Sequence, residues 1–138
     1  MKLTAANLTL TAGARTLCRE LAIEINGGEV WGVLGCNGSG KTTLLHALAG
    51  LTPARGTVAI DGRPLESFAR RELGRTLSIL LQREDEPFWG SVRDYVMLGR
   101  YPHARSLFGA GADDEAACEG ALVRFDLTGL DDHAYLTL

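Results

Sequence analysis

Residues 35–42 read Gly-Cys-Asn-Gly-Ser-Gly-Lys-Thr and fit the pattern G-x-x-x-x-G-K-[ST] without a mismatch. The flanking residues restrict what this octet can be. Before it, Val30-Trp31-Gly32-Val33-Leu34 is a continuous apolar run, the pattern of a strand covered on both faces in a parallel sheet. After it, Leu44, Leu45 and Leu48 fall at helical spacing until Gly50 and Pro53 end the pattern. A glycine-rich loop joining a buried strand to a helix calls for an α/β fold.

The residue types answer the needs of a polyphosphate, which takes many hydrogen-bond donors at short range and tolerates no side chain in the way. Glycines at 35, 38 and 40 let successive backbone N–H groups converge on phosphate oxygens. The following helix adds its unpaired N–H groups and the positive end of its dipole. Lys41 supplies a mobile charge for the β- and γ-phosphates, and Thr42 a neutral hydroxyl for Mg²⁺. The Thr43 hydroxyl reaches toward the α-phosphate from the same turn. The expected cradle is therefore Gly35, Asn37, Gly38, Ser39, Gly40, Lys41, Thr42 and Thr43. Cys36 lies inside it as a tolerated small residue, where a thiol reagent should block a nucleotide by bulk alone.

The rest of the chain is arranged around this motif. Leu8 and Leu10 alternate with Thr9 and Thr11, and Leu21, Ile23 and Ile25 with Ala22 and Glu24, which predicts antiparallel strands with one wet face. Asn26-Gly27-Gly28 is a turn signal. Residues 56–60 predict a strand ending in the Asp61-Gly62 turn, residues 66–74 a helix, and residues 76–81 a further apolar strand ending at Gln82. Pro87 excludes a helix through the acidic and then aromatic stretch 83–90. Ser91-Val92-Arg93-Asp94 matches a capping box, so a helix should run from there to about Gly99. Asp113, Asp114 and Glu115 place negative charge at the start of another helix, expected to end near Gly129. Asp131 and Asp132 read as a solvated turn.

Composition excludes several alternatives. With 14 basic and 17 acidic side chains, the net charge of −3 and the absence of a dense Lys/Arg stripe argue against a nucleic-acid partner. No apolar stretch is long enough to cross a bilayer, and the N-terminus lacks a signal-peptide core, so the expected location is the cytoplasm. Cys18, Cys36 and Cys118 are odd in number and far apart, which is neither a disulfide framework nor a zinc pattern.

The stretch 20–65, ELAIEINGGEVWGVLGCNGSGKTTLLHALAGLTPARGTVAIDGRPL, resembles the opening of an ABC ATPase. The Gly28-Glu29 pair before the loop strand and the Gly56–Gly62 strand after the first helix carry the likeness. It implies ATP as the nucleotide with Mg²⁺, and a P-loop NTPase (RecA-like) core half with an antiparallel β subdomain (residues 1–84) followed by part of a helical subdomain (residues 85–138). Gln82 resembles the Q-loop glutamine that contacts Mg²⁺ and faces the attacking water, which pairs it with Lys41 as a catalytic candidate. The segment 91–109, with LGRYPH at 98–103, looks like importer subunits for iron-chelate, haem or cobalamin uptake. In that family the residues after the Q-loop face the membrane permease, which implicates Glu84–Trp89 and, after them, Arg100–His103, while Phe88 and Trp89 suit core packing equally well.

The resemblance further implies a head-to-tail homodimer and attachment to the inner face of the membrane through the permease. Two departures stand out. The adenine-stacking position falls on Ala12, and Leu138 lies where the signature motif should begin. The expectation is an N-terminal fragment that binds ATP without efficient hydrolysis. A free-standing nucleotide-binding or regulatory module, or a soluble ABC ATPase without a membrane partner, is the alternative.

Overall fold

The computed structural model describes residues 1–81, 87–104 and 111–138. The chain forms two compact units, Met1–Ile79 and Leu80–Leu138.

The first unit is built on a four-stranded sheet of β1 (Lys2–Ala12), β2 (Arg15–Asn26), β3 (Arg55–Ile60) and β4 (Arg63–Pro64) in the order β2-β1-β3-β4. Every pairing is antiparallel. The alternation expected for β1 and β2 holds. Leu8 and Leu10 are buried at 0% and 2% exposure, while Leu21, Ile23 and Ile25 are half-buried with Ala22 and Glu24 outside. Gly13 has φ +57° and sits in the first central position of the two-residue turn joining Ala12 to Arg15, as a primed hairpin turn requires.

One face of this sheet carries α1 (Lys41–Leu48), whose Ala47 and Leu48 join Ala5, Leu8, Leu10, Val58, Ile60 and Leu65 in a single core. Burying each large aliphatic side chain stabilises the unit by roughly 1.5–3 kcal/mol. The helix stops as expected at Gly50. That residue takes φ +71°, its N–H donates to Ala47 O at 3.1 Å, and the Leu51 N–H donates to His46 O at 2.8 Å.

The strands are not regular ladders. Between the pairs Ala5–Ile23 and Leu8–Leu21 the register shifts by one residue, and Asn7 takes φ +53° there. Gly56 faces that kink across the sheet with φ +104°, and a β-carbon on it would fall 2.5 Å from Asn7 O. The bulge and the glycine therefore occur together.

Two expected strands are absent. Val30–Leu34 belongs to no strand, with Val30 97% and Leu34 95% exposed. Residues 77–81 belong to none either, and Leu80 is 96% exposed. A strand exists through its ladder, and among the described residues neither run has a neighbour to pair with. The helix expected over 66–74 is divided. A 3-10 turn at Leu65–Ser67 is followed by extended backbone at Phe68 and Ala69, and then by α2 (Arg70–Thr76).

The second unit pairs α3 (Val92–Leu98) with α4 (Ala112–Arg124) around Val92, Cys118 and Leu122. The capping box at the start of α3 is complete. The Asp94 N–H donates to Ser91 Oγ at 3.1 Å, and the Ser91 N–H donates to Asp94 Oδ2 at 2.9 Å. Arg93 reaches from α3 to Glu115 and Glu119 on α4, at 2.9 and 2.6 Å.

The second helix ends earlier than Gly129. Asp126 takes the left-handed conformation at φ +58°, the Leu127 N–H donates to Leu122 O at 2.9 Å, and Leu127 packs against the Leu122 cluster. This is a complete Schellman stop made with aspartate, one of the few residues other than glycine that enters this region. Phe88 packs edge-on to Tyr95 and Tyr135, whose own rings stack 4.1 Å apart. The adjacent Trp89 is 86% exposed.

Candidate functional site

The octet forms a loop that enters α1 at Lys41. Its glycines serve different purposes. Gly38 and Gly40 have φ of +75° and +100°, a region costly for any residue with a β-carbon. A β-carbon on Gly35 would fall 2.7 Å from Ser39 Oγ, so the loop closes over that position. The Ser39 N–H donates to Cys36 O at 3.2 Å, and the Leu44 N–H donates to Gly40 O at 2.8 Å, which begins the helix.

The start of α1 lacks the usual satisfiers. Gly40 at the N-cap offers no side-chain acceptor, and the first turn holds no acidic residue. The N–H groups of the first turn therefore point at the loop without a side-chain partner, and the positive end of the dipole is not neutralised. The Lys41 side chain folds back over the same loop. Its Nζ donates to Gly35 O at 2.8 Å and to Cys36 O at 3.0 Å. Thr42 is exposed and Thr43 half-buried in this turn, and Asn37 is exposed at the loop tip. All eight expected cradle residues are thus brought together on one loop and one helical turn.

Gln82 and Glu84 to Glu86 lie outside the described residues, so the expected Mg²⁺/water contact and much of the expected permease-facing stretch do not enter this geometry. Among the described residues, no group of three or more His, Cys, Asp or Glu side chains is arranged to hold a metal ion. Among the described residues, no helix is long and apolar enough to cross a membrane. The three cysteines are free, with Cys36 exposed in the loop and Cys118 buried, where burial pushes its thiol up.

Sequence reasoning noted Glu29 only as half of a recurring pair, and the structure gives it a local task. Its carboxylate accepts from the Asn26 N–H at 2.8 Å and from Trp31 Nε1 at 3.0 Å, which ties the end of β2 to the segment leading into the loop. These bonds, the Asn26 N–H first, hold the Glu29 carboxyl below its usual range. A contact between Leu17 of β2 and Gly40 was not foreseen at all.

A family model described as ABC transporter matches residues 18–136. The chain belongs to the ABC transporter family. Among curated members, the hemin import ATP-binding protein HmuV of Bordetella avium is 36% identical over 139 residues, covering 100% of this chain and 52% of that protein. The ferric enterobactin transport ATP-binding protein FepC of Escherichia coli is 36% identical over 138 residues, covering 99% of this chain and 51% of that protein. This ABC chain spans about half the length of the curated relatives it matches.

Among solved structures, a metal-chelate type ABC transporter in an inward-facing conformation superposes with a TM-score of 0.72 at 26% identity, covering 99% of this chain and 49% of the other. The cbiO1 protein of Clostridium perfringens gives 0.75 at 23% identity over 55% of its own chain, a likeness of fold. The ABC fold thus agrees with the P-loop core half, antiparallel β subdomain and partial helical subdomain expected from the sequence.

Proposed function

We propose that this chain binds ATP with Mg²⁺ at residues 35–43, as part of the ATP-binding subunit of an importer for hemin or an iron chelate. The observation that carries this is the start of α1, an uncapped, acid-free helix N-terminus approached by a glycine-rich loop and by Lys41 Nζ. Backbone N–H groups of the loop would cradle the phosphates. Lys41 would exchange its bonds with Gly35 O and Cys36 O for phosphate oxygens, and Thr43 would reach the α-phosphate.

The donor set fits Mg²⁺ as well. The cation takes hard oxygen ligands, keeps several waters and is held mainly through the nucleotide, so the exposed Thr42 hydroxyl is a sufficient protein ligand on this side. Gln82 is proposed as the second contact. The substrate class follows from relatives named for hemin import and ferric enterobactin transport.

Hydrolysis belongs to the proposal for the whole protein, acting as a homodimer at the inner face of the membrane. The 138 residues alone should bind nucleotide without steady turnover, since phosphoryl transfer rests on positioned groups around the γ-phosphate and the attacking water. Attachment to the membrane would come through a permease subunit that meets residues 84–89. The two aromatics there have separate fates, because Phe88 is packed within its own unit and Trp89 is left outward for a partner.

A fluorescent ATP analogue titrated with Mg²⁺ into the parent chain and into Lys41→Ala tests the core of this reading. Saturable binding by the parent, lost in the variant, is the expected result. Equal binding by both would remove the loop from the site.

A further inference from the structure

We propose that Leu17 is a positioning residue for the phosphate loop, held against Gly40 by a bulge in β2. The inference rests on the phosphate-binding reading of that loop.

Two independent features converge on this side chain. The first is register. Leu10 pairs with Cys18 and Thr11 pairs with Thr16, so one step along β1 corresponds to two steps along β2, and Leu17 is the extra residue. A bulge of this kind re-aims the side chain it carries away from the regular alternation. The second is contact. A β-carbon placed on Gly40 would fall 2.9 Å from Leu17 Cδ1 and 3.2 Å from Leu17 Cβ. The leucine therefore lies directly on the backbone of the last loop residue, at the point where the chain turns left-handed with φ +100° and enters α1.

The consequence concerns the N–H groups. Gly40 is the N-cap of α1, and its conformation sets the direction in which the loop and first-turn N–H groups point. Glycine in this region is conformationally permissive, so nothing intrinsic to Gly40 holds it there. Leu17 supplies the constraint from outside. It is half-buried and also packs against the core of the first unit, so it transmits the rigidity of the sheet to the loop. Leu17 and its neighbour Cys18 both pack against that core, as the two adjacent residues of a bulge do and two residues of a regular strand do not.

The test is isothermal titration of Mg²⁺-ATP and of Mg²⁺-tripolyphosphate into the parent, Leu17→Ala, Leu17→Met, Leu21→Ala and Lys41→Ala, with the thermal midpoint of each recorded. Leu17→Ala should weaken both ligands by the same factor, about tenfold or more, and Leu17→Met should restore most of the loss. Leu21→Ala, half-buried on the same strand, should lower the midpoint without changing affinity.

Parent-like tripolyphosphate affinity in Leu17→Ala overturns the proposal, including the case in which ATP alone is weakened, because that marks a nucleoside contact. Equal weakening by Leu21→Ala overturns it as well, because that marks general loosening. If Leu17→Ala does not fold, failure of folded Leu17→Met to match the parent more closely than Leu17→Val overturns it. Binding by Lys41→Ala equal to the parent, or none by the parent, removes the phosphate reading itself and this inference with it.

Discussion

Helices α3 and α4 start in one way and α1 in another. At α3, Ser91 and Asp94 satisfy each other's N–H groups, and at α4 the Gly111 N–H donates to Asp114 Oδ2 while Asp113 and Glu115 add charge to the same turn. At α1 there is a left-handed glycine, no side-chain acceptor and no acid. The first two follow the rules for stabilising a helix, and the third breaks each of them. The start of α2 also lacks a side-chain cap at Ala69, but Glu72 places an acid in its first turn. Among the described α-helices α1 alone lacks both, and a local rule broken that fully marks a site where donors are kept for a ligand.

Adding an acid where α1 lacks one gives the largest expected effect. Thr42→Asp should leave the helix as stable as before or better, since a carboxylate in the first turn contributes about 0.3–1 kcal/mol. It should also lower ATP affinity by about a hundredfold or more, near 2.8 kcal/mol. Titration beside thermal unfolding measures both. Unchanged affinity would show that the open start of α1 is not the ligand site, and Thr42→Val separates the charge from loss of the hydroxyl.

Alkylation probes the same contrast through bulk. Cys36 is exposed inside the loop, Cys18 is half-buried and Cys118 is buried against α3, so a small thiol reagent should label them in that order. Modification at Cys36 alone, followed by mass spectrometry, should reduce ATP binding about tenfold or more, with Cys36→Ala protected from the loss. Normal binding by the Cys36-labelled protein would separate the loop from the nucleotide.

At α3 the expectation reverses. Ser91→Ala should cost about 1 kcal/mol of unfolding free energy by urea titration, the ordinary value of a lost N-cap, with no change in ATP affinity. An affinity loss there would show that the cap serves the site, and the comparison between the helices would fail.

What could be read from the sequence follows the same division. Features that depend on neighbours in the chain were legible. The octet, the box at Ser91–Asp94, the stop at Gly50 and the alternation of β1 and β2 all complete themselves within a turn or a hairpin. Features that depend on distant partners were not. Val30–Leu34 and residues 77–81 carry strand-like composition, yet apolar composition makes no ladder without a neighbour. The bulges at Asn7 and Leu17 come from cross-strand register, which one strand's sequence does not contain. The end of α4 was misplaced for another reason, because Asp126 did the work expected of glycine and left Gly129 beyond the helix. The unforeseen positioning residue, Leu17, belongs to the register-dependent class.

Acid titration should give the smallest effect and still distinguish the two kinds of helix start. The Ser91 N–H, then the Ser91 hydroxyl, hold the Asp94 carboxyl below its usual range. The Gly111 N–H, then Arg100, do the same for Asp114. A carboxyl whose folded value is depressed stabilises the fold fully above the ordinary aspartate range, and that contribution is lost as pH falls through the lowered folded value. The start of α1 has no acid to titrate. Glu29 and Glu72 are lowered too, so a global midpoint would mix both units, and the readout has to be local. Amide spectra should show Ser91 N–H and Asp94 N–H shifting together as the pH falls below the ordinary aspartate range, while Lys41 N–H and Thr42 N–H hold still. Asp94→Asn should abolish the shift at Ser91. Because Asp94 is exposed and screened by water, the change in unfolding midpoint should be slight. A matching shift at Lys41 would mean that a carboxylate outside the first turn already serves α1, and that its start is not open after all.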